Sequence, residues 1–237
     1  AAKVYNSSNG KIICAGISGN GNLYLMTKDK NVKSFADLLG KKVIMAGQGA
    51  TPEYMFKYLL EKNEIPYDEK GGVQLDYSIP TPNIAAEMIS GNINYALVPE
   101  PFASVAQMKD KSVIRAINIQ DEFEALEGKG KTYPLTVIVV RKEYAEKNRK
   151  VVDKFLSKFS EAVKWTIKNP GVSGELNQKH TLGLQSGVVA ASIPNANYVY
   201  VSAQKGKKEI EALLNIFLSA APESIGGKLP DEDFYLK

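Results

Sequence analysis

Cysteine and histidine are almost absent from this chain of 237 residues, which contains one of each, Cys14 and His180. A single cysteine cannot form a disulfide within the chain, and one histidine cannot build a histidine-based metal cluster. Cys14 lies inside the apolar run 12–17 and follows Lys11 and two isoleucines, whereas a lipid-attachment cysteine follows small residues. We therefore expect a buried strand thiol at Cys14, no metal and no cofactor.

Long apolar runs and blocks of one charge are also missing. No apolar run approaches the ~18 residues that cross a bilayer, and no signal peptide opens the chain. The formal net charge is +4, and the densest basic cluster is Lys205, Lys207 and Lys208. Because the basic residues are scattered among acidic ones, a nucleic-acid partner is not expected. The hydrophobic fraction of 44% and charged fraction of 24% are typical of a globular protein.

One stretch reads as a buried strand, a glycine-hinged loop and a helix. Residues 43–46 form a short apolar run, and Gly47 and Gly49 permit backbone angles that let a ligand approach the main chain. Thr51 is a good N-cap and Pro52 a good first helical residue. Free N–H groups at such a helix start suit an oxyanion or a polar heterocycle. The same pattern is also typical of a strand-to-helix turn without a ligand.

Two further strands end in a similar way. Strand and helix patterns alternate from residue 43 to residue 117 with short links, which predicts a parallel sheet with helical crossovers. Three of the predicted strands lead into proline-bearing turns, at Thr51-Pro52, Thr81-Pro82 and Glu100-Pro101. In a parallel sheet these turns lie at the carboxyl ends of the strands, on the edge where ligands of open α/β sheets bind.

The ends of the alternating region indicate two lobes. The β-prone runs 23–26 and 135–140 lead into and out of this region, as expected for an inserted domain that can hinge on two strands. The sequence therefore predicts an inserted lobe 2 at residues 28–134 and a lobe 1 made of residues 1–27 and 135–237. Residues 1–5 resemble the end of a helix, so we expect that a further portion of lobe 1 precedes them.

Five stretches resemble the substrate-binding proteins of ABC importers, in the subgroup that binds aliphatic sulfonates, taurine, nitrate or the pyrimidine precursor of thiamine. They keep the family's order and span nearly the whole chain. They are residues 38–43 (LLGKKV), 47–54 (GQGATPEY), 96–102 (ALVPEPF), 139–144 (VVRKEY) and 227–235 (GKLPDEDFY).

The resemblance implies an α/β, type II periplasmic-binding-protein fold, with parallel-rich sheets flanked by helices and the first lobe incomplete. Its two lobes would close over a small polar molecule and deliver it to the transmembrane subunits of an ABC permease. The implied protein is a monomer outside the cytoplasm, in the periplasm or lipid-anchored at the outer face of the cell membrane. Its signal and anchor would lie outside this chain.

The resemblance also implies which residues bind the ligand. They fall in the helix-start loop, in the turn after the third strand of the inserted lobe, in the hinge-side loop 19–22 and in the segment 195–197. The expected ligand-binding residues are Gln48, Gly49, Ala50, Thr51, Glu100, Pro101, Asn20, Asn22 and Asn197, with Asn195 a further candidate.

The ligand class follows from the charges of these turns. No Lys or Arg lies in them, and Glu100 disfavours a plain anion while favouring an amine or a ring N–H. Glu100 is equally compatible with an outward-facing turn residue. We expect a sulfonate, a taurine-like zwitterion or an amino-pyrimidine.

Two rival functions share the fold. A pyrimidine-precursor synthase would need a cysteine cluster and a donor histidine, which the composition disfavours, so no catalytic residue is expected. The effector domain of a transcription regulator would carry a DNA-binding domain upstream.

Overall fold

The runs of apolar residues fold into two α/β units. The computed structural model describes residues 1–237, the whole chain. Unit 1 comprises residues 1–21, 132–170 and 197–237, and unit 2 comprises residues 22–131 and 171–196. The first segment of unit 2 begins and ends a few residues earlier than the predicted range 28–134, and unit 2 also includes residues 171–196, which the prediction placed in lobe 1. The strand Leu23–Thr27 pairs within its sheet, and the helix Ser186–Ser192 packs on its helix Phe102–Lys109.

Unit 2 contains five strands and six α-helices. The strands are β2 (Leu23–Thr27), β3 (Lys42–Met45), β4 (Gln74–Asp76), β5 (Tyr95–Pro99) and β6 (Ile114–Asn118). The helices are α2 (Thr51–Lys62), α3 (Thr81–Ile89), α4 (Phe102–Lys109), α5 (Ile119–Glu127), α8 (Pro170–Lys179) and α9 (Ser186–Ser192), with short 3-10 turns at Phe35–Leu38 and Ile193–Asn195.

The sheet of unit 2 is mixed, in the order β4-β3-β5-β2-β6. Strand β3 pairs in parallel with β4 and β5, whereas β2 is antiparallel to both of its neighbours, β5 and β6. Every residue of β2 is buried because it is a central strand with both faces covered. Helices α3 and α4 pack on one face, where Ile84, Met88 and Ala103 share a core with Met26 and Ile44.

Unit 1 is built on a smaller, antiparallel sheet. Its strands are β1 (Ile12–Asn20), β7 (Pro134–Arg141) and β8 (Tyr198–Ser202), in the order β7-β1-β8. Its helices are α1 (Ala2–Ser7), α6 (Lys142–Lys147), α7 (Arg149–Lys168) and α10 (Lys207–Ala220), followed by 3-10 turns at Pro222–Ile225 and Glu232–Phe234. The C-terminal segment closes the core of this unit: Phe234 and Tyr235 are buried beside Tyr5.

Two local features match or modify what the side-chain pattern predicts. The capping box that Ser34 and Asp37 indicate is present, with both reciprocal hydrogen bonds formed. The apolar pattern 143–167 reads as one helix, but the chain forms α6 and α7 and breaks at Asn148, which is not helical (φ −129°, ψ 37°). No helix combines the length and the apolar character that crossing a bilayer would require.

Candidate functional site

The carboxyl ends of β3, β4 and β5 lie on one edge of the five-stranded sheet, because the three strands run in parallel. This confirms the predicted common edge of the three proline-bearing turns. We call it the carboxyl edge: the turns 46–51, 77–82 and 99–102, each of which leads from a strand into a helix. In open α/β sheets such an edge is the usual place for a ligand.

The first turn contains two glycines with positive φ angles. Gly47 and Gly49 have φ angles of 71° and 70°, a region that other residues seldom occupy. Ala50 is the N-cap of α2, with an extended backbone and no side-chain capping bond, so the prediction that Thr51 caps the helix is wrong. Thr51 is the first helical residue and Pro52 the second. Gln48, Gly49 and Ala50 are exposed, which leaves this turn accessible.

The N–H groups of this turn are only partly available, because a side chain of the same helix binds one of them. The Gly49 N–H donates to Glu53 Oε2 over 2.7 Å, and Lys57 Nζ lies 2.7 Å from Glu53 Oε1. Burial tends to raise the pKa of Glu53, but the hydrogen bonds from Gly49 and Lys57 outweigh it and lower that pKa below its ordinary value. Glu53 is therefore an ionised carboxylate built into the turn.

The third turn carries a buried ion pair. Glu100 is 7% exposed, and Arg115 Nη2 on β6 lies 2.5 Å from its Oε1 atom. The Oε2 atom of Glu100 accepts a hydrogen bond from the Ser104 N–H at 3.1 Å. This bond pairs one of the N–H groups that the first turn of α4 would otherwise leave without a partner. Glu100 thus faces inward, and its charge is compensated within the protein. An outward-facing Glu100, one of the two orientations left open by the sequence, is excluded.

Arg115 is held by several groups at once. Its Nη2 also donates to Ser104 Oγ at 2.8 Å, its Nη1 donates to Gln107, and its guanidinium carbon lies 5.2 Å from the ring centre of Tyr24. Burial, and after it the charge of Glu100, raises the pKa of Tyr24 to about 12. The Tyr24 hydroxyl therefore stays protonated and donates to the Asn195 carbonyl at 2.8 Å.

Asn22 and Asn118 extend the carboxyl edge beyond the three turns. The Asn22 carbonyl accepts the Glu100 N–H at 3.1 Å, so Asn22 lies beside the third turn. Its side-chain Oδ1 atom is buried and has no hydrogen-bond partner. Strand β6 is antiparallel to β2 and therefore parallel to β5, which places its last residue, Asn118, on the same edge. Asn118 caps α5 by accepting the Gln120 N–H at 3.1 Å.

Asn20 and Asn197 lie in unit 1, next to each other. The Asn20 N–H donates to the Asn197 carbonyl at 3.0 Å, and the Asn197 side chain donates to the Gly21 carbonyl. Asn197 has a φ of 47°, a conformation that Asn tolerates better than most residues. The Oδ1 atom of Asn20 is buried and has no partner. The structure thus brings these two expected residues together within unit 1.

The structure adds three residues that the sequence argument did not select. Glu53 stands at the third helical position of α2, from which a Glu side chain commonly reaches back to the N–H groups before the helix, so its position could have indicated its role. Asn118 precedes an apolar helix pattern and is a recognisable N-cap. No local signal identifies Arg115, since its contact with Glu100 depends on β2 lying between their strands.

Together, the antiparallel sheet of unit 1 and the mixed sheet of unit 2, with strand-to-helix turns along one edge, define an α/β fold of the periplasmic-binding-protein type. Residues 11–173 match the family model described as "NMT1/THI5 like". Because the match covers more than half of the chain, the protein belongs to this family. No curated protein sequence matches the chain.

Solved structures agree with this assignment of the fold. The chain is similar to an ABC transporter from Parabacteroides distasonis, with a TM-score of 0.81, 22% identity, and coverage of 100% of this chain and 77% of that one. It is similar to the periplasmic aliphatic sulphonate binding protein SsuA from Escherichia coli, with a TM-score of 0.74, 17% identity, and coverage of 99% and 72%. A third similar structure is the desulfurization enzyme DSZB, with a TM-score of 0.59, 13% identity, and coverage of 95% and 77%.

Proposed function

We propose that this protein is the solute-binding protein of an ABC importer. It acts outside the cytoplasm, in the periplasm or lipid-anchored at the outer face of the cell membrane, and it works as a monomer. It takes up a small polar molecule of the sulfonate, taurine-like zwitterion or amino-pyrimidine class and delivers it to the transmembrane subunits of the permease. The observation that carries the proposal is the alignment of three strand-to-helix turns on the carboxyl edge.

The carboxyl edge is suited to hold a polar ligand through the main chain and through short polar side chains. The exposed turn at Gln48, Gly49 and Ala50 can approach a ligand closely because its glycines carry no side chain. The buried Oδ1 atom of Asn22 can accept a hydrogen bond from a ligand. Pro101 and the Glu100–Arg115 pair fix the third turn, so little order has to be gained when a ligand binds.

Membership of the NMT1/THI5-like family and the likeness to two ABC transport proteins support a binding role. The likeness to DSZB raises the alternative of an enzyme. Two observations favour a non-catalytic role. Cys14 is fully buried, and burial raises the pKa of its thiol to about 11, so it is not a ready nucleophile. His180 is exposed, next to the end of α8 at Lys179.

The direct test is native mass spectrometry of the protein purified under mild conditions with any co-purified ligand. We expect a bound small molecule whose mass belongs to one of the three classes. The released compound, added back to ligand-free protein, should raise the unfolding temperature in a concentration-dependent way.

A pair of variants tests whether the carboxyl edge is the site. Thr51→Trp fills the first turn and should abolish the ligand-induced stabilisation while leaving the circular dichroism spectrum unchanged. Asn94→Trp is the matched control, because Asn94 is exposed and precedes β5 at the opposite edge of the same sheet. Its stabilisation by the ligand should equal that of the wild type. If the ligand stabilises Thr51→Trp as much as the wild type, the ligand binds at another place in the protein.

A further inference from the structure

Unit 1 carries an apolar face that none of its own elements covers. We call it the β7 face: the outer edge of β7 with the adjacent sides of α6 and α7. It contains a groove with a volume of about 240 Å³, lined only by aliphatic and aromatic residues. Four of these residues, Val139, Tyr144, Val151 and Phe155, are between 43% and 56% exposed. Exposed apolar side chains gathered in one patch mark an interaction surface.

Strand β7 has the sequence of a central strand but the position of an edge strand. Residues 137–140 are four consecutive β-branched apolar residues, a pattern typical of a strand that is covered on both faces. In the order β7-β1-β8, however, only β1 pairs with β7. Of the eight residues of β7 only Pro134 is buried. The outer edge of β7 therefore presents N–H and C=O groups that pair with no strand of unit 1, and such an edge readily accepts another strand.

Helix α7 continues the same face. It has an apolar stripe, of which Val152 and Leu156 are buried. Val151 and Phe155, one position before each of these, are 55% and 56% exposed. Phe155 is stacked on Phe159 with ring centres 6.1 Å apart, so its ring is held in place at the surface. One side of the stripe thus packs within unit 1, while the other side is uncovered, although an apolar stripe normally faces a core.

The chemistry of the β7 face restricts what can cover it. The unpaired N–H and C=O groups of β7 are satisfied by a polypeptide strand and not by a lipid surface. A second copy of the chain is disfavoured by charge, because α7 carries six basic and two acidic residues. Two copies joined through this face by a two-fold axis would bring these like-charged helices close together.

A further segment of the same protein meets neither objection. Two of the similar solved structures contain additional chain, since this chain covers 77% and 72% of them. Helix α1 contributes Ala2 and Tyr5 to the core against which Ile138 and Val140 of β7 pack. Polypeptide that leads into α1 therefore enters unit 1, the unit that carries the β7 face.

The geometry points to one occupant of the β7 face, the segment of polypeptide that precedes residue 1 in the complete protein. This segment supplies a strand that pairs with the outer edge of β7, and apolar side chains that fill the groove beside Phe155. Strand β7 then becomes an interior strand of a larger sheet, as its sequence indicates. The β7 face belongs to unit 1, and this inference is independent of the proposed function.

The test is thiol labelling in two forms of the protein, residues 1–237 and the complete protein that the gene encodes. Both forms carry Cys14→Ala, and any cysteine upstream of residue 1 is changed to serine. In this background Phe155→Cys should react with Ellman's reagent rapidly in residues 1–237 and roughly tenfold or more slowly in the complete protein, because the thiol is then covered. Asn94→Cys, an exposed position of unit 2, is the control and should react equally fast in both forms.

A charge placed on the β7 face gives a second, independent measurement. Phe155→Glu should lower the unfolding temperature of the complete protein by several degrees, because it buries a carboxylate. The same variant of residues 1–237 should unfold close to its parent, since Phe155 is 56% exposed there. Lys164→Glu is the matched control: it lies nine residues further along α7, on the opposite side of the helix, and is exposed. It should have little effect in either form.

Four outcomes would overturn the inference. They are a gene that encodes nothing upstream of residue 1, equal labelling rates of Phe155→Cys in the two forms, and equal effects of Phe155→Glu on the two unfolding temperatures. The fourth is slow labelling of Phe155→Cys in residues 1–237 that becomes faster on dilution, which would assign the face to a second copy. None of these outcomes contradicts the proposed function, which is decided separately by the mass of the co-purified ligand.

Discussion

Arg115 on β6 and Glu100 after β5 form an ion pair of 2.5 Å across the intervening strand β2, with the Glu100 side chain 1% exposed. The pair therefore connects the third turn of the carboxyl edge to β6, the last strand of the sheet. Arg115 and the Ser104 N–H both contact the buried Glu100 carboxylate and compensate for its loss of contact with water. The turn owes its fixed geometry to a residue that lies 15 positions later in the chain.

Removing the arginine should destabilise unit 2 strongly. Arg115→Met leaves the buried Glu100 carboxylate without its counter-charge, and we expect a loss of about 3 kcal/mol, the lower end for a broken buried pair because Arg115 is partly exposed. Thermal and urea unfolding measure this change. Lys42→Met is the control: its ion pair with Asp76 has a lysine side chain that is 66% exposed, and its loss should cost under about 1 kcal/mol. Equal losses for the two variants would contradict a special role of the Glu100–Arg115 pair.

Two glycines of helix α8 give opposite expectations for the same substitution. A Cβ atom at Gly174 would collide with the backbone carbonyl of Ser186 at the start of α9, whereas a Cβ atom at Gly171 would meet nothing within 4 Å. Gly174→Ala should therefore destabilise the protein by about 1–3 kcal/mol, since backbone cannot yield as a side chain can. Gly171→Ala should be neutral or more stable by about 0.5–1 kcal/mol. The unfolding temperatures of the two variants, compared with that of the wild type, test this prediction. An unchanged unfolding temperature of Gly174→Ala would contradict the close approach of α8 to α9.

Most of the fold could be predicted because its signals are local. Short apolar runs bounded by Gly and Pro predict strands β3 and β5, and the alternation with helices predicts that these strands are parallel. The antiparallel strand β2 between β5 and β6 was not predictable in this way. Its position depends on pairing with β5 and β6, which lie far from it in the chain. The five buried residues of β2 do not indicate which strands they pair with.

The candidate site was predictable to a smaller extent. The proline-bearing turns identify the carboxyl edge, but the side chains that decide its charge come from other contacts. Glu100 is recognisable in its turn, whereas its pairing with Arg115 depends on the order of strands. Thr51 resembles an N-cap by residue type, yet Ala50 takes that place because its backbone is extended and Thr51 is already helical.

The single thiol should be unreactive in the folded protein. Cys14 has no exposed surface, burial raises its pKa to about 11, and the Leu236 N–H from the C-terminal segment donates to its carbonyl at 2.8 Å. Because the thiolate is the reactive form, Ellman's reagent should label the native protein only through opening of unit 1. In concentrated guanidinium chloride one thiol per chain should react promptly. A Cys14→Ala, Asn94→Cys variant supplies an exposed thiol as a positive control, and equally fast labelling of the wild type would contradict the burial.

Asp76, at the end of β4, should make stability depend on acid pH. Hydrogen bonds from Ser78 and the contact with Lys42 lower its pKa to about 2. Because the folded pKa is below the unfolded value of about 3.9, its contribution is present above that value and disappears as the pH falls through about 2. Asp76→Asn should therefore lower the unfolding temperature at neutral pH, by a free energy of about 1 kcal/mol or less given the exposed lysine partner. The difference from the wild type should shrink between pH values of about 4 and 2. A difference that stays constant over this range would mean that the Asp76 charge does not stabilise the edge strand.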